Sequence, residues 1–363
     1  MLTAAEVKRV ARELGADLCG IASMDRFAGA PKQQDPRYIF PDAKAAIVLA
    51  FRIPRGYMRG IEEGTYFASY TGMGYGHMNN VYMPGVMREL CCFLEDEGYE
   101  GVPIPNMYIG ASISFPRQAE TPERSRPVRE GLPFPDVMPD FRIMAFAAGM
   151  GEFGYSKVFL TPEFGPMQRF VAILTDAELE PDPLFEGKIC DRCMSCVREC
   201  SGKAISATET ESIVVAGRKI EWGKLDIVKC SIAYRGGNPD YNPFFQPTHK
   251  PEDFHGYTGG PAMDKAMEYG RIEGHNPALE GARGCFRACL AHLEAKGVLK
   301  KTFKNPFRKR TSWKLPPLGS DGWQVAGSRR ATPVALRWRH RLGPAHQPAV
   351  RIPLRRPRRG AAV

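Results

Sequence analysis

Apolar residues in the first segment, Ala4 to Leu14, recur at helical spacing, with Val7, Val10, Ala11 and Leu14 on one side. Gly15 ends this predicted helix, and Asp17-Leu18-Cys19-Gly20-Ile21-Ala22 reads as a short strand. Ala45 to Phe51 is continuously apolar, the pattern of a strand buried on both faces. A second helix is predicted over Pro84 to Glu97, with Pro84 tolerated in its first turn and Gly98 ending it. Phe170 to Thr175 gives a third strand. Helices alternating with buried strands predict an α/β (α+β) domain over residues 1–182. Past Glu180-Pro181-Asp182-Pro183 the pattern changes to short segments punctuated by Cys. A second module is expected over 183–315, with a long Gly-, Pro- and aromatic-rich insert at 236–281. Residues 316–363 show no periodicity and read as a disordered Arg/Pro-rich tail.

Charge supports that division. The chain carries a formal net charge of +10, but 317–363 holds ten Arg and one acid, Asp321, which leaves the body close to neutral. The balance argues against nucleic acid as the body's partner, and only the tail keeps an RNA-binding reading open. Hydrophobic content of 43% and charged content of 25% are those of an ordinary globular protein. No apolar run reaches the roughly 18–20 residues that span a bilayer. The N-terminus shows neither a secretory nor a twin-arginine signal, so the expected location is the cytoplasm, away from membranes.

The candidate chemistry lies in the cysteines. Cys190-x2-Cys193-x2-Cys196-x3-Cys200 places four soft thiolates within eleven residues, the spacing that wraps an iron–sulfur cubane. In two-cluster ferredoxins the fourth Cys of such a run serves the other cluster, and further Cys follow here at Cys230, Cys285 and Cys289. The predicted first cluster, [4Fe-4S], takes Cys190, Cys193, Cys196 and Cys289. The second takes Cys200, Cys230 and Cys285 and is one thiolate short, because its expected partner falls on Ala282. It is either [3Fe-4S] or completed by a non-Cys ligand such as His275. Ser201 stands where a Pro usually follows the fourth Cys. Zinc prefers two separated Cys pairs, and disulfides need an oxidising compartment that nothing in this sequence indicates. Cys19, Cys91 and Cys92 sit in apolar contexts and read as core.

Over residues 4–315 the chain resembles the superfamily of epoxyqueuosine reductases and reductive dehalogenases. The resemblance rests on the order of five stretches: Ala11 to Ala22, Pro41 to Ala50, the glycine turn Ala148 to Lys157 before Thr161-Pro162-Glu163-Phe164-Gly165, Cys190 to Cys200, and Lys229-Cys230-Ser231-Ile232-Ala233-Tyr234. It implies a corrinoid-binding-type N-terminal domain followed by a ferredoxin-like two-cluster module, with cobalamin between them. A small-molecule substrate and a low-potential donor such as a ferredoxin or flavodoxin follow from it. The tRNA branch implies an Asp as proton donor, here Asp136 in Asp136-Val137-Met138-Pro139. The dehalogenase branch implies a Tyr near a basic residue, with Tyr75, Tyr108 and Tyr155 as possibilities and Tyr75 preferred. His77, Gly149, Gly151 and Lys157 are the expected cofactor contacts. Gly149-x-Gly151-x2-Gly154 follows a predicted helix rather than a strand, so it reads as a turn and not as a dinucleotide site. Arg117, Arg124, Arg126 and Arg129 form a basic stretch, read as a solvated loop.

The leading expectation is an oxidoreductase on the dehalogenase side of that superfamily. A tRNA epoxyqueuosine reductase is the first alternative, and a ferredoxin-like carrier without corrinoid is the alternative from another class. A domain of about 180 residues ahead of the clusters argues against the carrier, which needs only the cluster module.

Overall fold

In the computed structural model the described residues are 2–106, 126–135, 137–245, 247, 250–254 and 284–317. Asp136, Tyr108, Arg117, Arg124, His275 and Ala282 lie outside them, as does the tail from 318 onward. Residues up to 318 pack as one compact unit.

Helix α1 (Ala4–Leu14) opens on a capping box, in which the Thr3 hydroxyl accepts from the Glu6 N–H and the Glu6 carboxylate accepts from the Thr3 N–H. It ends at Gly15 in a left-handed conformation. A four-stranded sheet follows the order β1 (Leu18–Ser23), β2 (Ala45–Arg52), β6 (Gln168–Thr175), β3 (Gly101–Ile104), with every pairing antiparallel. Central strand β2 is buried along all but its last residue. Both faces are covered, which explains its continuous apolar run. Ile21, Ile47, Leu49 and Val171 face α1 and α3 (Met83–Asp96). Ala46, Val48, Ala50 and Ala172 face α4 (Phe141–Ala147), and these small residues let that helix approach closely.

Between α2 (Arg59–Glu63) and α3 the chain runs as a π-type helix, Tyr70–Tyr82, closed where the Met83 N–H donates to Met78 O. Long π-helical stretches are rare and tend to occur at functional sites. The glycine turn after α4 leads into the short strands β4 (Glu152–Phe153) and β5 (Phe159–Leu160). At Gly149, with φ +69°, a Cβ would meet the Pro183 carbonyl at 2.0 Å, and at Gly151 one would meet the Leu160 carbonyl at 2.0 Å.

The cysteine-bearing part contributes α5 (Ser195–Arg198), the hairpin β7 (Ile205–Val215) and β8 (Arg218–Leu225), α6 (Ile227–Tyr234) and α7 (Cys285–Lys296). The hairpin turns through Ala216 and Gly217, both at positive φ, the twist that matches two antiparallel strands. Its Val215, Ile220 and Trp222 join the core on the α4 side of the sheet. Ile61, Phe67 and Tyr70 share a further apolar cluster with Leu290, Leu293, Leu299 and Phe307, so early and late parts of the chain close on each other.

A buried ion network stitches that closure. Arg287 pairs with Glu62 at 2.6 Å, and Arg308 bridges Glu62 at 2.8 Å to Glu199 at 2.6 Å. The Arg287 and Glu62 side chains are only 4% and 6% exposed. Removing one charge from such a pair strands the other in a poorly solvated site. Glu62→Gln is therefore expected to destabilise the fold by about 3 kcal/mol, read from the urea midpoint at constant m. An exposed pair such as Arg9–Glu13 should give a small fraction of that.

Candidate functional site

The cysteine loop is bent by its own backbone. Arg192 and Met194, on either side of Cys193, adopt left-handed φ of 56° and 61°. Non-glycine residues accept this conformation only where the surroundings enforce it. One Glu152 oxygen accepts the N–H groups of Ile189 at 2.5 Å and Cys190 at 2.6 Å, and Asp191 accepts that of Cys193 at 3.1 Å. Two sulfurs accept backbone donors: Cys190 Sγ from Tyr155 N–H at 3.4 Å, and Cys200 Sγ from Ala204 N–H at 3.3 Å. Hydrogen bonds to sulfur are among the means by which a protein tunes a cluster's potential.

Helix α7 brings the distant thiols in. It starts at Cys285, and Cys289 stands one turn later on the same face. A Cβ on Gly284 would lie 3.1 Å from Glu199 O, so the start of α7 packs directly on the cysteine loop. Cys230 sits on α6, whose first turn is capped by Asp226.

The thiols sort into two groups by the neighbours that act on them. Cys289 is pushed well up, first by burial and then by Cys190, Cys196, Cys285 and Cys193. Cys196 is pushed up to about 11 by burial and by Cys190 and Cys193. Cys285 is raised by burial, then by Cys200, Cys230 and Cys196, and Cys230 is pushed up to about 11 by burial and by Cys200. Crowded, desolvated thiols hold their protons at neutral pH unless a cation takes their place, and iron does this by forming thiolate bonds. The donor set therefore suits iron–sulfur ligation. Cys285 interacts with members of both groups, so the two adjoin.

Past Cys285 lies a group of aromatic and cationic side chains. Arg169, near the start of β6, donates to Gly74 O at 2.8 Å and to the Tyr70 hydroxyl at 3.0 Å. Its guanidinium lies 4.2 Å over the Tyr75 ring, a cation–π contact. Tyr234, the last residue of α6, hydrogen-bonds Tyr75, and its phenol is raised well above the usual range by burial and by Tyr75 and Tyr70. Tyr70 is raised by burial, with Tyr75 and Cys285 adding to the rise. Tyr70 is buried, whereas Tyr75, Arg169 and Tyr234 are half-buried. Sequence reading selected Tyr75 and missed Arg169, Tyr70 and Glu152. Arg169 sits in an otherwise apolar strand, which was the available signal.

The remaining candidates lie elsewhere. His77 is exposed and stacked on Tyr82 at 6.5 Å. Lys157, at φ +64°, holds its ammonium 4.5 Å over the Trp222 ring, and burial lowers its pKa. It lines a cavity of about 620 Å3 with Arg26, Asp140, Met144, Phe153 and Trp222. Arg142 donates to Lys157 O at 3.0 Å and acts electrostatically on Cys230 and Cys285, which links this cavity to the second thiol group. Tyr155 is buried, and its hydroxyl donates to Ser206 O at 3.1 Å. Arg126 and Arg129 are exposed. Asp191, Cys193 and His292 stand close enough to share a metal ion, but Asp191 is held below the usual carboxylate range by Lys296 and His292, and that lysine already supplies the positive charge.

Two adjoining sets of converging thiols beside a tyrosine–arginine group are compatible with iron–sulfur ligation. No protein-family model matches the chain. It is 26% identical over 262 residues to the tetrachloroethene reductive dehalogenase of Sulfurospirillum multivorans, a match covering 62% of this chain and 45% of that enzyme. The chain is similar in sequence to that dehalogenase and spans less than half its length. Among solved structures, a catabolic reductive dehalogenase aligns with TM-score 0.44 and 18% identity over 77% of this chain and 37% of its own. An epoxyqueuosine reductase aligns with TM-score 0.43 and 15% identity over 81% and 82%. No helix among the described residues is long and apolar enough to cross a membrane.

Proposed function

We propose that this chain is an iron–sulfur, corrinoid-dependent reductase that removes halogen from a small organic substrate. The observation that carries the reading is the continuity from the Cys190–Cys200 loop, through Cys230, Cys285 and Cys289, to the half-buried group Arg169, Tyr75 and Tyr234.

In this reading Cys190, Cys193, Cys196 and Cys289 hold a [4Fe-4S] cluster, and Cys200, Cys230 and Cys285 hold a second cluster whose three thiolates suit [3Fe-4S]. When bound, the clusters supply single electrons and the corrinoid supplies a strongly reducing cobalt centre. Lys157, with Gly149 and Gly151 in the turn before it, is assigned to the corrinoid's surroundings because it lines the cavity of about 620 Å3. His77, exposed against Tyr82, has no such support. Residues 1–182 are the substrate side and 183–315 the electron side. Tyr75 is the proton donor. As the carbon–halogen bond breaks with uptake of two electrons and halide leaves, its hydroxyl would give the proton for the new C–H bond. The phenolate left behind is stabilised by the Arg169 guanidinium above its ring and by the Tyr234 hydroxyl. Arg169 suits this role because a guanidinium keeps its charge in a poorly solvated site. Asp136 is the corresponding donor in the tRNA-modifying reading.

Anaerobic reconstitution followed by iron, sulfide and cobalt analysis tests the proposal, together with halide release from chlorinated and brominated substrates. Stoichiometric cobalt and halide release are expected. Full iron loading without any cobalt uptake would instead leave an electron carrier. Turnover of an epoxyqueuosine-modified tRNA stem loop would move the chain to that branch.

A further inference from the structure

Electrons have to enter at one end of the thiol array, and the two ends differ. Cys285 packs against the apolar cluster that contains buried Tyr70, so the second group faces inward. Cys193 is half-buried and directly follows two exposed residues, Asp191 and Arg192, so its loop reaches the surface there.

Exposed cations stand on the loop that carries it. Arg198 donates to the Cys193 carbonyl at 2.9 Å and to Ser195 Oγ at 2.8 Å. Lys203 donates to Arg198 O at 3.3 Å, and Lys188 lies exposed just before Cys190. The carboxylates of this face are already engaged: Asp191 by His292 and Lys296, and Glu221 by Arg192 at 2.6 Å and Lys219 at 3.6 Å. Among the described residues no carboxylate pairs with Lys188, Arg198 or Lys203. The body as a whole is close to neutral, so this is a local excess of positive charge on the exposed part of the first cysteine loop.

We propose that this face is the electron-entry surface and that it docks an acidic one-electron carrier protein. The inference rests on the cluster reading above. In each encounter one electron passes from the reduced carrier to the first cluster; the carrier is oxidised, the cluster is reduced, and no bond or proton changes place. A nucleic acid would also be drawn to these cations, but it brings no electron. Complementary charge acts mainly on the association rate and fades as salt screens it.

The test is anaerobic stopped-flow reduction of the cluster-loaded protein by a reduced acidic ferredoxin, with Ti(III) citrate as the small-molecule reductant. In the double variant Lys188→Glu/Lys203→Glu, the ferredoxin rate constant at low ionic strength is expected to fall about tenfold or more, with a flattened salt dependence. Iron content and the Ti(III) citrate rate should not change. Arg9→Glu/Lys32→Glu, the same charge change on α1 and in the loop after β1, should leave the ferredoxin rate within about twofold. A ferredoxin rate unaltered by the first double variant, or lowered equally by both, overturns the docking face and leaves the cluster reading standing. A wild-type protein that takes up no iron overturns both.

Discussion

Serine in place of Cys289 is expected to remove one cluster and spare the other, lowering iron and acid-labile sulfide by roughly half. Cys193→Ser should give the same residual spectrum, because after burial Cys190 and Cys196 act on Cys289 most strongly, with Cys285 and Cys193 behind them. Cys200→Ser and Cys285→Ser should share the opposite spectrum, since among its thiol neighbours Cys285 feels Cys200 and Cys230 most, after burial. The crossing is the point of the experiment. If the run from Cys190 to Cys200 held a self-contained cluster, Cys200→Ser would match Cys193→Ser, and Cys285 and Cys289 would fall together. Low-temperature paramagnetic resonance of oxidised and reduced samples separates the two outcomes. It also shows whether the three-thiol group gives a three-iron signal. Helix α7 makes the crossing possible by presenting two thiols one turn apart to two different neighbours.

Tyr75→Phe is the second large effect, with halide release expected to fall by about 10^2- to 10^4-fold, the usual contribution of a positioned general acid. Phenylalanine keeps the ring beneath the Arg169 guanidinium, so the 4.2 Å contact and both clusters should survive. Cluster content and the rate of cluster reduction are therefore the internal controls. Arg169→Met should lower turnover and also stability, because Gly74 O and the Tyr70 hydroxyl lose their donor. Tyr234→Phe should cost less than Tyr75→Phe, since Tyr234 only supports the phenolate. Turnover by Tyr75→Phe within about twofold of wild type would exclude Tyr75 as the donor and turn attention to Asp136.

Local signals read well where local physics governs. Helix α1 matches its predicted limits because a capping box and Gly15 bracket a clear apolar stripe. Helix α3 runs from Met83 to Asp96, one residue from its predicted span at each end. Strand β2 was legible as doubly buried, but not its neighbours. A continuous apolar run suggests a parallel strand, and only the packing of α1 and α3 on one face and α4 on the other explains one in an antiparallel sheet. Two elements left no usable signal. The hairpin of β7 and β8 carries exposed polar residues through much of β7, so its alternation is faint. The π-type helix Tyr70–Tyr82 has no periodicity that a helix or strand template detects, and it carries Tyr75.

The cysteines divide along the same line. Spacing by itself determined that Cys190, Cys193, Cys196 and Cys200 can converge, because a few residues of chain between thiols limit how far apart they can lie. It also marked Cys230, Cys285 and Cys289 as further donors and left the second set one thiolate short. Only the tertiary structure decided which thiols are neighbours, that Arg169 lies over Tyr75, and that the cations on the loop of Cys193 are exposed. Arg169 and Tyr75 are joined through a sheet and a π-type helix far apart in the chain, and Cys289 reaches Cys190 across nearly a hundred residues. Side-chain spacing along a chain carries no information at that range; it is set by which apolar faces close on one another.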